Sequence, residues 1–201
     1  MESVVGILLA GGKSSRMGGG DKCLKKLGDK TILEHVISRS LPQVEALILN
    51  VNSQCGKYSS YGLPIVSDVV SGYCGPLAGI LTGMEWVKKN FPNCRWLASF
   101  PTDAPFFPKN LVKKLFLAVE QKKASLSYAY SGGRNHPVFG LWPVELEQDL
   151  RQSIIEEKVR KIEFWTSKFV TSRAEFTSEP FDPFFNINNP EQFKKAKRMI
   201  R

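Results

Sequence analysis

Apolar runs alternate along this chain with stretches in which apolar residues recur every three or four positions. The alternation predicts a mainly parallel sheet covered by helices, because strands buried on both faces read as continuous apolar runs while the covering helices need only one apolar stripe. Residues 4–10 read as the first buried strand, 46–51 as the second and 65–66 as a short third. Between the first two, Ile32, Leu33, Val36, Ile37 and Leu41 keep the helical period until Pro42 ends it. Gly75-Pro76 opens a helix through Trp86, with the proline at a first-turn position where its missing N–H costs nothing. Residues 96–100 form the next strand, and Pro108 opens a helix with Leu111, Val112, Leu115, Phe116 and Val119 on one side. Residues 125–130 and 137–142, joined across Ser131-Gly132-Gly133, predict a small hairpin excursion. A helix near 159–165, a strand near 169–171 and a last helix from Pro190, with Phe193, Ala196 and Ile200 inward, complete the pattern. The expectation is an α/β protein with three layers, α/β/α, in a single domain spanning residues 1–201.

Composition narrows the class only a little. With 42% hydrophobic and 23% charged residues, the chain can bury a sizeable core, which excludes disordered and fibrous classes. A net charge of +9 draws in anions, so nucleic acid, nucleotides and acidic cofactors all stay eligible. The lysine doublets (Lys88-Lys89 and Lys122-Lys123 among them) read as solvated helix faces. Cys23, Cys55, Cys74 and Cys94 form no C-x-x-C pair, and the histidines are His35 and His136 alone, which excludes a structural zinc site. Free thiols in a reducing cytosol are the reading, with a Cys55–Cys74 disulfide between two loops as the alternative. The apolar N-terminal run is too short to span a membrane and no basic segment precedes it, so a soluble, cytoplasmic protein is expected, without membrane contact.

The chemistry concentrates at predicted strand ends, the edge at which open α/β sheets bind ligands. Asn50, Asp68 and Asp103 each stand at such an end, as does the loop of residues 11–22. That loop holds five glycines, Gly11, Gly12, Gly18, Gly19 and Gly20, together with Lys13, Arg16 and Lys22. Glycines let a backbone approach a ligand closely and turn its N–H groups toward phosphate oxygens. A loop that is merely flexible needs glycine and serine but not three cations. Spacing excludes two familiar phosphate loops. No G-x-G-x-x-G is present, and the P-loop frame set by Gly6 and Gly11 puts Gly12 where its lysine belongs.

The pattern L-A-G-G-x-S-x-R-M-G-x-x-D-K, starting at Leu9, Ala10, Gly11 and Gly12, resembles the signature of the sugar-nucleotidyltransferase-like superfamily, and most closely that of the molybdenum cofactor guanylyltransferases. Further segments resemble that family in the same order: Asn50-Val51-Asn52, Asp68, Gly75-Pro76-Leu77-Ala78-Gly79, Thr102-Asp103-Ala104-Pro105, His136-Pro137-Val138 and Asn186-Ile187-Asn188-Asn189-Pro190. The resemblance covers nearly the whole chain. It implies a Rossmann-like nucleotidyltransferase fold and transfer of GMP from GTP to the terminal phosphate of molybdopterin, the molybdenum cofactor. By that resemblance Arg16 and Lys22 hold the triphosphate and Asp103 is the metal ligand for Mg²⁺. Leu9, Ala10, Gly11, Gly12, Asn50, Asp68 and Gly79 contact the nucleotide, while His136, Arg160, Asn186 and Asn188 face the acceptor. Transient contact with proteins that deliver or receive the cofactor also follows from it.

Each residue has a plainer alternative. Asp68 and Asp103 suit Asx turns or helix caps, Asn50 and Asn52 a strand end, Gly75–Gly79 a helix start, His136 a structural histidine before proline rather than a general base, Arg160 a solvated helix charge, and Asn186 and Asn188 a turn before the last helix. Phe181, Phe184 and Phe185 read as packing at the end of the domain. Rival functions are a cytidylyltransferase acting on the same pterin, a sugar-phosphate nucleotidyltransferase, and a basic nucleic-acid-binding module. Gly11 favours guanine by resemblance, and no nucleic-acid module pattern accompanies the charge.

Overall fold

The computed structural model describes residues 2–10, 21–72 and 75–200. Gly11, Gly12, Lys13, Arg16 and Cys74 lie outside the described residues. The elements run β1 (Val4–Leu9), β2 (Lys26–Leu27), β3 (Lys30–Thr31), α1 (Ile32–Ser40), β4 (Ala46–Asn50), β5 (Ile65–Val66), α2 (Pro76–Asn90), β6 (Trp96–Pro101), α3 (Leu111–Lys122), β7 (Leu126–Ser131), β8 (Arg134–Pro143), α4 (Glu147–Ile155), α5 (Ile162–Thr166), β9 (Thr171–Phe176) and α6 (Pro190–Met199). Seven strands form one sheet in the order β5-β4-β1-β6-β8-β7-β9, and β2 and β3 pair apart from it. Within the sheet β8 alone runs against the rest.

Side-chain alternation along the central strands sorts the core into two layers. Val4 and Leu8 of β1 and Trp96, Ala98 and Phe100 of β6 face α1 and α3. Val5 and Ile7 with Leu97 face α2, α4 and α5. This is the expected α/β/α arrangement. A third cluster of Leu27, Ile32, Phe106, Ile187 and Ala196 seats α6 against the small β2–β3 hairpin. Ile200, expected to point inward, is 37% exposed because α6 ends at Met199.

Helix starts follow their local chemistry. Thr31 Oγ1 accepts the Glu34 N–H at 3.1 Å while the Glu34 carboxylate accepts the Thr31 N–H, a reciprocal capping box that fixes the entry to α1. Pro76 opens α2 as expected. The helix expected at Pro108 begins at Leu111, after a turn closed by the Leu111 N–H on the Pro108 carbonyl.

Three features depart from the sequence pattern. The predicted hairpin is the pair β7–β8, built into the sheet through β6 and β9 on its two sides. α4 was not predicted, since its inward face mixes Leu150 and Ile154 with the buried Glu147, which pairs with Lys88 of α2 at 2.8 Å. The strand expected at 169–171 lies at β9, because Phe169 packs edge-on against Trp165 in the core and the inward positions of β9 are the small Ser172 and Ala174. Cys55 is exposed and carries a free thiol, and Cys74, its partner in the disulfide alternative, lies outside the described residues. Among the described residues no helix is long and apolar enough to cross a membrane.

Candidate active site

Because β1, β4, β5, β6, β7 and β9 run the same way, their carboxyl ends meet at one edge, and a pocket of about 510 Å³ opens there. The sheet order dictates the order of groups along it. Asp68 follows β5, Asn50 ends β4, Leu9 and Ala10 end β1, Asp103 follows β6, and residues 134–139 begin β8. The segment after β9 returns across this edge, held where the Ile187 N–H donates to the Asp103 carbonyl at 2.8 Å. Ile187 is wholly buried, so its neighbours Asn186 and Asn188 both turn to the pocket.

At one end, two asparagines grip a carboxylate. Asn50 Nδ2 donates to Asp68 Oδ1 at 2.9 Å, Asn52 Nδ2 donates to Asp68 Oδ2 at 2.7 Å, and the Asp68 N–H donates to Asn52 Oδ1 at 2.8 Å. The Asp68 carboxylate is thereby fixed at the rim. Gly79 does not line the pocket. A Cβ there would come within 2.5 Å of Leu9 Cδ2 and 2.7 Å of Asn50 Oδ1, so the glycine leaves the space in which Asn50 sits. Its place is behind Asn50 rather than on the pocket surface.

In the middle, Lys22 Nζ donates to Asp103 Oδ2 at 2.9 Å and to Asn188 Oδ1 at 2.8 Å. One ammonium thus ties the start of the chain to β6 and to the segment before α6. The pair is partly exposed, with side-chain exposures of 17% and 25%, which places its charges within reach of a ligand. Asp21 also lines the pocket. One of its carboxylate oxygens is buried with no hydrogen-bond partner among the described residues, and Lys57 Nζ lies 3.8 Å away. Beneath, Cys23 Sγ sits 3.6 Å from Tyr58 Oη, and burial pushes its thiol above the ordinary value. A buried, protonated thiol is a poor nucleophile, so Cys23 is not suited to covalent catalysis.

At the other end β8 bulges. Tyr128 pairs with Gly140 but the next residue, Ala129, pairs with His136, so residues 137–139 are looped out of the ladder. Pro137 has no N–H to give a ladder bond, and Ser99 Oγ anchors the loop by donating to the Val138 carbonyl at 2.6 Å. The bulge turns His136, Pro137, Val138 and Phe139 toward the pocket, beside Arg134 and Asn135. Those last two had no periodic signal in the sequence; their pointer was adjacency to His136 at the start of a strand facing the ligand edge. Arg160 is not brought to the pocket. Its guanidinium donates to the carbonyls of Ile154 and Val159 at 2.9 and 2.8 Å, closing the turn after α4.

Comparison with known proteins places the chain in a family. The family model described as "MobA-like NTP transferase domain" matches residues 6–168. A molybdenum cofactor guanylyltransferase of Rhodopseudomonas palustris (strain BisB5) is 41% identical over 193 residues, covering 96% of this chain and 92% of that protein. One from Nitrobacter hamburgensis is 43% identical over 194 residues, covering 96% and 93%. The crystal structure of molybdopterin-guanine dinucleotide biosynthesis protein A from Archaeoglobus fulgidus superposes with a TM-score of 0.76 over 98% of both chains, at 22% identity, a likeness of fold. Matched by a family model over most of its length and by relatives over nearly all of theirs, the chain belongs to the MobA-like NTP transferase family.

Proposed function

We propose that this nucleotidyltransferase moves GMP from GTP to the terminal phosphate of molybdopterin and releases pyrophosphate. The observation that carries the reading is the order of groups along one pocket: Asn50 and Asp68 at one end, Lys22 and Asp103 in the middle, His136, Asn186 and Asn188 at the other. Two substrates laid along such a pocket would meet over Lys22 and Asp103. The names of the relatives support guanine and molybdopterin as the two.

The reaction forms a bond between an acceptor phosphate oxygen and the α-phosphorus while the bond from that phosphorus to the β-phosphate oxygen breaks. An acceptor that is already anionic needs no strong general base, so the protein's work is alignment and neutralisation of charge. Lys22 supplies positive charge at the centre, and its hold on Asp103 and Asn188 keeps it aimed there. Arg16 and the backbone N–H groups around Gly11 and Gly12 would cradle the triphosphate. Asn50 and Asp68 would face the nucleoside, and Asn186 and Asn188 the pterin.

The donor set fits a cation that arrives with the nucleotide. No group of three or more His, Cys, Asp or Glu side chains gathers among the described residues, whereas Mg²⁺ typically takes one or two carboxylates and completes its shell with water and substrate phosphate. Asp103 would hold it, and when bound it neutralises charge on the phosphates. An assay of pyrophosphate release with GTP, molybdopterin and Mg²⁺ tests the reading. Release is expected only when all three are present, and Asp103→Ala is expected to abolish it while circular dichroism stays native. No release from the wild-type chain, or near-normal turnover in a folded Asp103→Ala, would contradict it.

A further inference from the structure

Three polar groups beside the pocket are linked in a chain that the reaction so far leaves unused. His136 Nε2 lies 2.9 Å from Ser131 Oγ, and Ser131 Oγ donates to Asp182 Oδ1 at 2.7 Å. The Phe184 N–H donates to the same oxygen at 3.0 Å. The His136 ring stacks on Phe184 with centroids 4.7 Å apart, and its side chain is 12% exposed.

The direction of this chain is forced. An ionised carboxylate can only accept, so the single proton of Ser131 goes to Asp182. Ser131 Oγ must then accept from the imidazole, and the hydrogen sits on Nε2. Burial pushes His136 below its ordinary value, and the charge of Arg134 adds to this, against the opposing pull of Asp182 and of a hydrogen bond to the Ser131 backbone. A neutral ring with its hydrogen on Nε2 has a bare lone pair on Nδ1. Among the described residues the ring's side-chain hydrogen bond is that of Nε2 with Ser131 Oγ, and His136 lines the pocket. The order of groups also rules out a hydrolytic triad, in which the serine donates to the imidazole.

We infer that Ser131 and Asp182 are positioning residues that fix His136 as a hydrogen-bond acceptor, offering Nδ1 to a ring N–H or amino group of the acceptor substrate. The inference rests on the two-substrate reading proposed above. A pterin carries such donors along one edge, and a neutral imidazole acceptor would select for a donor-bearing edge at this place. Ser131 comes from β7, His136 from β8 and Asp182 from the segment that also brings Asn186 and Asn188, so the same crossing segment sets both sides of this end.

The test is nitrogen NMR of the histidines in the full chain. It has two, and a His136→Gln variant assigns their signals. The wild type is expected to show His136 with hydrogen on Nε2, and its Nδ1 signal is expected to move when 6-hydroxymethylpterin monophosphate is added. Asp182→Ala is expected to mix the two tautomers and raise KM for the acceptor about tenfold with KM for GTP unchanged. Asp182→Asn, whose Oδ1 can still accept from Ser131 and the Phe184 N–H, is expected to restore both. Hydrogen on Nδ1 in the wild type, an unaltered tautomer in Asp182→Ala, or equal rises in both KM values would overturn the inference. An enzyme that turns over GTP and molybdopterin while Nδ1 ignores the pterin also overturns it and leaves the proposed function standing. An enzyme that does not turn them over sinks the proposed function itself, and with it the substrate contact inferred for His136.

Discussion

Replacing Gly79 by alanine separates two roles that helix α2 combines, stability and the shaping of the pocket. In a helix interior the change by itself gains about 1 kcal/mol. Here the new Cβ would stand 2.5 Å from Leu9 Cδ2 and 2.7 Å from Asn50 Oδ1, well inside contact distance. Overpacking of this kind costs about 1–3 kcal/mol, so the net destabilisation should be about 0–2 kcal/mol. For a chain of this size that is a fall in Tm of about 0–8 °C. Leu9 can yield by turning the end of its side chain. Asn50 is 3% exposed and tied to Asp68, so moving its amide strains the grip on that carboxylate. One hydrogen bond is worth about 1 kcal/mol, and KM for GTP should rise about fivefold to tenfold with a smaller change in kcat.

Gly83, one helical turn further on, supplies the control. A Cβ there would crowd Leu97 Cδ2 at 2.7 Å and Ile7 Cδ1 at 3.0 Å, apolar neighbours remote from any polar group of the site. Gly83→Ala should lower Tm comparably and leave KM for GTP unchanged. Thermal melts and GTP titrations of both variants decide the matter. If Gly79→Ala keeps a normal KM, or if both variants raise it equally, Gly79 does not hold the nucleotide wall in place.

Two further outcomes follow from groups away from the centre. Glu147 is buried between Lys88 at 2.8 Å and Arg151 at 3.7 Å; both partners reach solvent, so Glu147→Ala should cost about 1–3 kcal/mol by chemical denaturation, with normal turnover in the folded fraction. His136 should make stability fall with acid. Its folded pKa is below the ordinary 6.5, held there by burial against Asp182 and helped by Arg134, so the unfolded chain takes up a proton first as pH drops through 6.5, and the loss levels off below the folded value. Melts across that window should show a slope that His136→Gln removes; an identical slope in the variant would assign it elsewhere.

How much of this was legible depends on what each element buries. β1, β4 and β6 are covered on both faces, so their apolar runs stood out and their ends pointed to Asn50 and Asp103. α4 escaped because a charged residue, Glu147, fills part of its buried face through ion pairs that no periodicity registers. β9 was expected a few residues too early because its inward side chains are the small Ser172 and Ala174. What Gly79 does could not be read from the sequence, since a glycine that makes room and a glycine that touches a ligand read alike there. The His136 chain was invisible because Asp182 reaches Ser131 only after the crossing segment folds over the sheet edge.

The claim of guanylyl transfer is tested most directly by competition in a single tube: equal GTP and CTP, molybdopterin, Mg²⁺ and the wild-type chain, with the dinucleotide product weighed by mass spectrometry. The account predicts the guanine dinucleotide as the main product, with pyrophosphate formed in step. A predominance of the cytosine dinucleotide would contradict it.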